Sequence, residues 1–259
     1  MWLNQFKRKK VVFLHIPKTG GMTFQNILRQ VFPHSVHFVK NPDIEKIRKN
    51  LKSYRCIVLH GTEYKGEFIY LTQDIMQPAY RHILKDASIF VLFRNPVKQH
   101  LSLFSFLKRK RDEILPIYQQ NDRTFPETLE DFLTLVHYNQ QLGFLVGNLQ
   151  SNSATVVNKH DLEYAKSLLI NLDIKVGITE RYADFLHIFE TVTGKRIPDR
   201  TIKIINQNPN QSIYEAVDEE TLNIIRQRNH LDMELYEFAR GLFEKQLATC
   251  GPRPEYRFR

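Results

Sequence analysis

The chain has 259 residues, of which 42% are hydrophobic and 25% charged, a balance that builds a buried core and excludes an intrinsically disordered chain. Its two cysteines, Cys56 and Cys250, exclude a disulfide framework and a cysteine-rich zinc site. Lys and Arg number 37 against 28 Asp and Glu, and the resulting charge of +9 suits an anionic partner such as a phosphorylated cofactor, a polyanion, nucleic acid or a membrane surface, unless it is no more than a basic surface.

In chain order, residues 1–10 carry basic side chains without a following apolar region, so no signal peptide is expected. No run approaches the roughly 20 apolar residues of a membrane helix. The expectation is a cytoplasmic chain, or a lumenal catalytic domain with its anchor removed. Residues 11–14 (VVFL) form a buried strand, too short for a helix. A helix follows over 23–31, with Phe24, Ile27, Leu28 and Val31 spaced along one face. A short strand is expected at 36–39, a helix at 42–51, and further buried strands at 56–59 and 88–93. These runs are continuous rather than alternating, as a parallel sheet covered on both faces requires. Helices are expected over 97–110, 129–142 and 162–172, then a strand over 175–179. Further helices follow at 182–193, ended by Gly194, and at 218–228 and 231–247. Residues 111–128 and 195–217 are polar, contain proline and read as loops. The chain shows no internal repeat, and the pattern predicts one α/β domain over 1–259, a three-layer fold with a central parallel sheet flanked by helices.

The most informative stretch joins the first strand to the first helix: His15-Ile-Pro-Lys-Thr-Gly-Gly-Met-Thr23. Gly20 and Gly21 let the backbone approach an anion with no Cβ in the way. The helix N-terminus aims amide groups and a partial positive charge at the same place. Lys18 adds a full charge, and Thr19 and Thr23 add hydroxyls. The lysine precedes the glycines, so the segment is not a Walker A loop.

A second motif, Arg94-Asn-Pro-Val-Lys-Gln-His-Leu-Ser102, leaves the carboxyl end of strand 88–93, where open α/β sheets bind ligands. Pro96 suits a first helical turn. The Arg94 fork and the Ser102 hydroxyl could together grip a phosphate.

The first stretch resembles the 5′-phosphosulfate loop of sulfotransferases, most closely the carbohydrate branch of heparan and chondroitin sulfotransferases and their soluble bacterial relatives. Met22 stands where that family usually has Thr. The second is similar to the family's 3′-phosphate motif: Arg94, Pro96 and Ser102 keep its spacing, with Asn95 for Asp. The resemblance continues through 162–166, 176–181 and 229–236, and so covers nearly the whole chain. It implies 3′-phosphoadenylyl sulfate as donor and adenosine 3′,5′-bisphosphate as product. It implies donor contacts from Lys18, Thr19, Gly20, Gly21, Thr23, Arg94 and Ser102. Residues 206–212 stand where relatives have a loop that closes over the donor.

Lys18 is the natural partner for the leaving phosphate oxygen, and the acceptor hydroxyl calls for a general base. His60 and Glu63 end the strand 56–59 at the same sheet edge. In the uronosyl 2-O-sulfotransferase branch a His-Gly-His segment here carries the base. His60 matches its first histidine and Thr62 replaces its second, so His60 ranks first and Glu63 second. His15 is read as structural, orienting the turn.

No residues stand at metal-ligand spacing, and no nucleic-acid module is recognisable. The run Lys108–Arg111 either holds an anionic acceptor or is the solvated end of a helix, and the aromatics Phe104, Phe106, Tyr118 and Phe125 either line a cleft or belong to a core. The expected function is sulfuryl transfer to a hydroxyl acceptor, with a glycan as the expected partner. The alternatives are a P-loop small-molecule kinase and a non-catalytic nucleotide or polyanion binder. The sequence leaves the oligomeric state open.

Overall fold

A computed structural model describes residues 10–34, 36–39, 55–60, 62–64, 67–69, 87–120, 122–146, 157–205 and 216–259. The predicted buried runs form strands β1 (Lys10–His15), β2 (Val36–Val39) and β3 (Cys56–His60). A small hairpin follows, β4 (Thr62–Tyr64) with β5 (Glu67–Ile69), then β6 (Ala87–Phe93) and β7 (Lys175–Ile178). Five of these make one parallel sheet in the order β2-β3-β1-β6-β7. The central β1 pairs Val12 with Ile57 on one side and with Ile89 on the other. Phe13, Val58, Phe90 and Val91 are wholly buried, as strands covered on both faces demand.

Helix α1 (Gly21–Val31) lays Phe24 into this core, edge-on to Phe13 at 4.8 Å and to Phe185 at 4.7 Å. A second core forms beside the sheet, around Val97 and Leu101 of α2 (Pro96–Arg109). Around it stand α3 (Arg111–Gln120), α4 (Leu129–Leu135) and, further along the chain, α8 (Glu219–Arg228). Between them come α5 (Gln140–Val146), α6 (Lys159–Asn171) and α7 (Tyr182–Thr193), and α9 (His230–Leu247) packs against β7. Gly194 ends α7 at φ 62°, as its position predicts.

Two expectations are corrected. The helix expected over 129–142 is two helices, because Val136 turns extended at φ −77°, ψ 144° and Asn139 sits in the left-handed region at φ 53°. The stretch 111–128, read as a loop, contains α3: Ile114, Leu115 and Tyr118 pack on the second core and outweigh the polar composition and the internal Pro116. Two pairings were not foreseen: the β4–β5 hairpin, and β8 (Thr201–Ile202) parallel to β9 (Arg257–Phe258). The helix expected at 42–51 and the segment 206–212 lie outside the described residues.

Candidate active site

The turn between β1 and α1 is held by its carbonyl groups. The Pro17 oxygen accepts from Gln99 Nε2 at 3.0 Å, and the Lys18 oxygen accepts from Arg94 Nη1 at 3.1 Å. The Thr19 oxygen accepts from the Thr179 hydroxyl at 2.7 Å, and the Gly20 oxygen from the Tyr182 hydroxyl at 3.1 Å. Four consecutive carbonyls are thus tied to α2, to the end of β6, to the residue after β7 and to α7. In a trans peptide N–H points opposite to C=O. Binding the carbonyls from these elements therefore turns the amides of the same turn the other way, which is how a backbone anion cradle is built.

Sequence chemistry sets the turn's shape. Gly20 has φ 84°, and a Cβ there would meet Tyr182 Cε2 at 3.2 Å. At Gly21 a Cβ would lie 2.0 Å from the His15 ring, so glycine is required by close approach. His15 is buried and its Nδ1 accepts from Gln25 Nε2 at 2.6 Å, which fixes the ring against the turn. The expected orienting role of His15 has this contact as its basis. Lys18 is left-handed at φ 64°, a conformation costing an L-residue about 1–2 kcal/mol and maintained here by the bonds on either side.

Lys18 Nζ lies 4.2 Å from the centre of the Phe106 ring. Burial, then the nearby Arg109 and Arg94 guanidinium groups, lower its pKa to about 8. Ser102, Phe106 and Arg109 are spaced four and three residues apart on α2, which sets them on one helical face. Ser102 is half-buried on that face.

Arg94 leaves β6 with its backbone bracketed: its N–H donates to Gln141 Oε1 at 2.9 Å and its carbonyl accepts from Gln141 Nε2 at 2.7 Å. Asn95, in place of the family's Asp, caps α2 by accepting from the Lys98 amide at 3.2 Å. The Asn95 amide donates to Glu180, whose other oxygen accepts from the Tyr236 hydroxyl at 3.0 Å.

The two threonines differ from each other. Thr19 is fully buried and its hydroxyl donates to the Ile16 carbonyl at 2.8 Å, so its side-chain proton is committed within the turn. Thr23 Oγ1 accepts from the Ile205 amide at 3.0 Å, which leaves its own proton to donate. The basic run 108–111 divides. Lys108 and Arg111 pair with Glu127, at 3.3 and 2.6 Å, and Lys110 with Glu113. Arg109 is the member of the run that lowers the Lys18 pKa. Of the aromatics, Phe104 packs at a tilt against Phe132 and Tyr118 edge-on to Phe125 in the second core, and Phe106 alone of the four lies under Lys18. His60 ends β3 in register with His15, and Glu63 stands in β4.

Gln99, Thr179, Tyr182 and Gln141 escaped the sequence reading. The signal for Thr179 was present, since it follows β7 at the sheet edge that singled out Arg94. A glutamine inside a helix carries no such mark. Among the described residues, no three His, Cys, Asp or Glu side chains are grouped to hold a metal, and no helix is long and apolar enough to cross a membrane.

The family profile described as "Sulfotransferase family" matches residues 3–239. Heparan-sulfate 6-O-sulfotransferase 1 of Cricetulus griseus is 26% identical over 275 residues, covering 91% of this chain and 67% of that protein. Heparan-sulfate 6-O-sulfotransferase 3-B of Danio rerio is 24% identical over 282 residues, covering 90% and 63%. The chain thus spans about two thirds of the length of these curated relatives. The mouse sulfotransferase SULT7A1, solved in complex with PAP, aligns with a TM-score of 0.45 at 13% identity, over 93% of this chain and 83% of that one.

Proposed function

The chain belongs to the sulfotransferase family, and from that premise we propose which of its residues do the work. The reading is transfer of a sulfuryl group from 3′-phosphoadenylyl sulfate to a hydroxyl by one sulfotransferase-like domain over 1–259. A carbohydrate is the proposed acceptor, supported by the heparan-sulfate relatives. We also propose a soluble, bacterial-type member acting in the cytoplasm, with a lumenal location as the alternative; fractionation of the source cells decides between them.

The carrying observation is the bond from the Arg94 guanidinium to the Lys18 carbonyl. It sets the two turns side by side, which supports the reading that one nucleotide with phosphates at both ends spans them. The amides of residues 19–21 and Lys18 would hold the 5′-phosphosulfate, with the Thr23 hydroxyl as a further donor. Arg94 and Ser102 would hold the 3′-phosphate. The fit rests on the Gly21 contact, where a side chain would collide with His15, and on the carbonyls tied away from the cradle.

In the reaction the acceptor oxygen bonds to sulfur as the bond from sulfur to the 5′-phosphate oxygen breaks, in line and through a loose transition state. Lys18 stabilises the charge gathering on the leaving oxygen. The acceptor proton passes to a base, His60 first and Glu63 second. Lys18→Ala should lower the rate about 100- to 1000-fold, whereas Arg94→Ala should act mainly on donor binding. Equal affinity for nucleotides with and without a 3′-phosphate would overturn the reading.

A further inference from the structure

The Arg94 peptide group lies one residue past the end of β6. There a side chain takes over the pairing that a neighbouring strand would give. The Gln141 amide accepts from the Arg94 N–H at 2.9 Å and donates to the Arg94 carbonyl at 2.7 Å. One buried side chain thus fixes the Arg94 backbone from both its polar groups. Gln141 stands in the first turn of α5, and that turn is seated from α9. Asp232 accepts from the Gln141 amide at 2.9 Å and from the Leu142 amide at 2.8 Å. Its own amide donates to Asn139 Oδ1 at 3.0 Å, and the Asn139 amide donates to Asn229 Oδ1 at 2.8 Å.

A core position asks only for packing, which an apolar side chain supplies without desolvating a carboxylate or an amide. Asp232 and Gln141 are each 1% exposed. Every bond named for them runs to α5, to the Asn139 turn before it or to Arg94. The chain from α9 to Arg94 ends in the guanidinium, which donates to the Lys18 carbonyl. A guanidinium sits roughly 6 Å from its Cα, so a backbone tilt of about 10° displaces it by about 1 Å, beyond the ~0.5 Å tolerance of a preorganised site.

We propose that Gln141, seated by Asp232, is a positioning residue that aims Arg94, and that this pair sets the preference of the chain for adenine nucleotides carrying a 3′-phosphate. The proposal rests on the reading of Arg94 as the 3′-phosphate ligand.

The test titrates the full chain, by calorimetry, with adenosine 3′,5′-bisphosphate and with adenosine 5′-phosphate. Gln141→Met keeps the volume and removes both bonds. Its ratio of affinities, bisphosphate over monophosphate, should fall about tenfold or more, with monophosphate affinity within about threefold of the parent. Asp232→Asn, which faces one of the two amides with an NH₂ group, should move the ratio less and in the same direction. Thermal melting checks that each variant folds; if Gln141→Met does not, Gln141→Glu takes its place, keeping an acceptor for the Arg94 N–H. An equal fall for both nucleotides, or an unchanged ratio, overturns the proposal. A parent chain that does not prefer the bisphosphate overturns the reading of Arg94 instead, before any variant is compared.

Discussion

The Arg94 guanidinium donates to the Lys18 carbonyl oxygen at 3.1 Å, across 76 residues of sequence. The bond ties two turns whose charges would otherwise repel, because a cation here also satisfies a backbone acceptor. Lysine at position 94 would keep the charge and lose the fork. Arg94→Lys should therefore bind adenosine 3′,5′-bisphosphate about tenfold or more weakly, close to Arg94→Ala, as calorimetry would measure.

The role proposed for Lys18 needs its charged form, and its pKa is lowered to about 8. Burial and two neighbouring guanidinium groups favour the neutral amine, so the active form is lost as pH rises through about 8. The pH profile of kcat/KM should fall on that alkaline limb. In Arg109→Ala one repulsion is gone and the fall should move to higher pH; an unmoved limb would assign it to another group.

Gly21→Ala would put a methyl group 2.0 Å from a His15 ring that Gln25 holds in place. Overpacking of this kind costs about 1–3 kcal/mol, or several degrees in Tm at this chain length. Melting should show that loss, with weaker nucleotide binding beside it. Gly194→Ala has open space around its Cβ but a φ of 62°, so its smaller cost should leave nucleotide binding unchanged.

Much of this was legible in the residues. The strands at 11–14, 56–59 and 88–93 announced themselves because burial on both faces leaves continuous apolar runs, and the two turns because a glycine pair beside a lysine, and an arginine, stand at the strand ends where open α/β sheets bind ligands. The break between α4 and α5 was not legible. Its helical pattern runs on through 129–142, and what restarts the chain at Gln140 is Asn229 and Asp232, about 90 residues away. Composition could not show α3 either, because its case rests on three side chains meeting a core built by other helices. That the Thr19 hydroxyl turns back to the carbonyl three residues earlier, leaving only its amide for the cradle, was not legible either.

Asp232 is a carboxyl whose pKa burial raises to about 7, against the pull of two amide donors. Between about pH 4 and 7 the folded chain holds a proton that the unfolded chain has released, so this group's contribution to stability falls as pH rises through that window. Asp232→Asn removes the ionisation. Urea unfolding at pH 5 and pH 7.5 should show a smaller loss of stability between the two in the variant than in the parent.

His60 ends β3 beside β1, and the base role proposed for it predicts a rate effect without a binding effect. His60→Ala should lower kcat about 100- to 10,000-fold and leave bisphosphate affinity within about threefold. Glu63→Gln should change kcat less; the reverse order would assign the proton to Glu63.

The most direct measurement is a calorimetric titration of the unmodified chain with adenosine 3′,5′-bisphosphate, set against ATP with magnesium and adenosine 5′-phosphate. Two facing anion pockets predict the bisphosphate bound about tenfold or more tightly than either competitor. Equal binding of all three, or a preference for ATP, would contradict it.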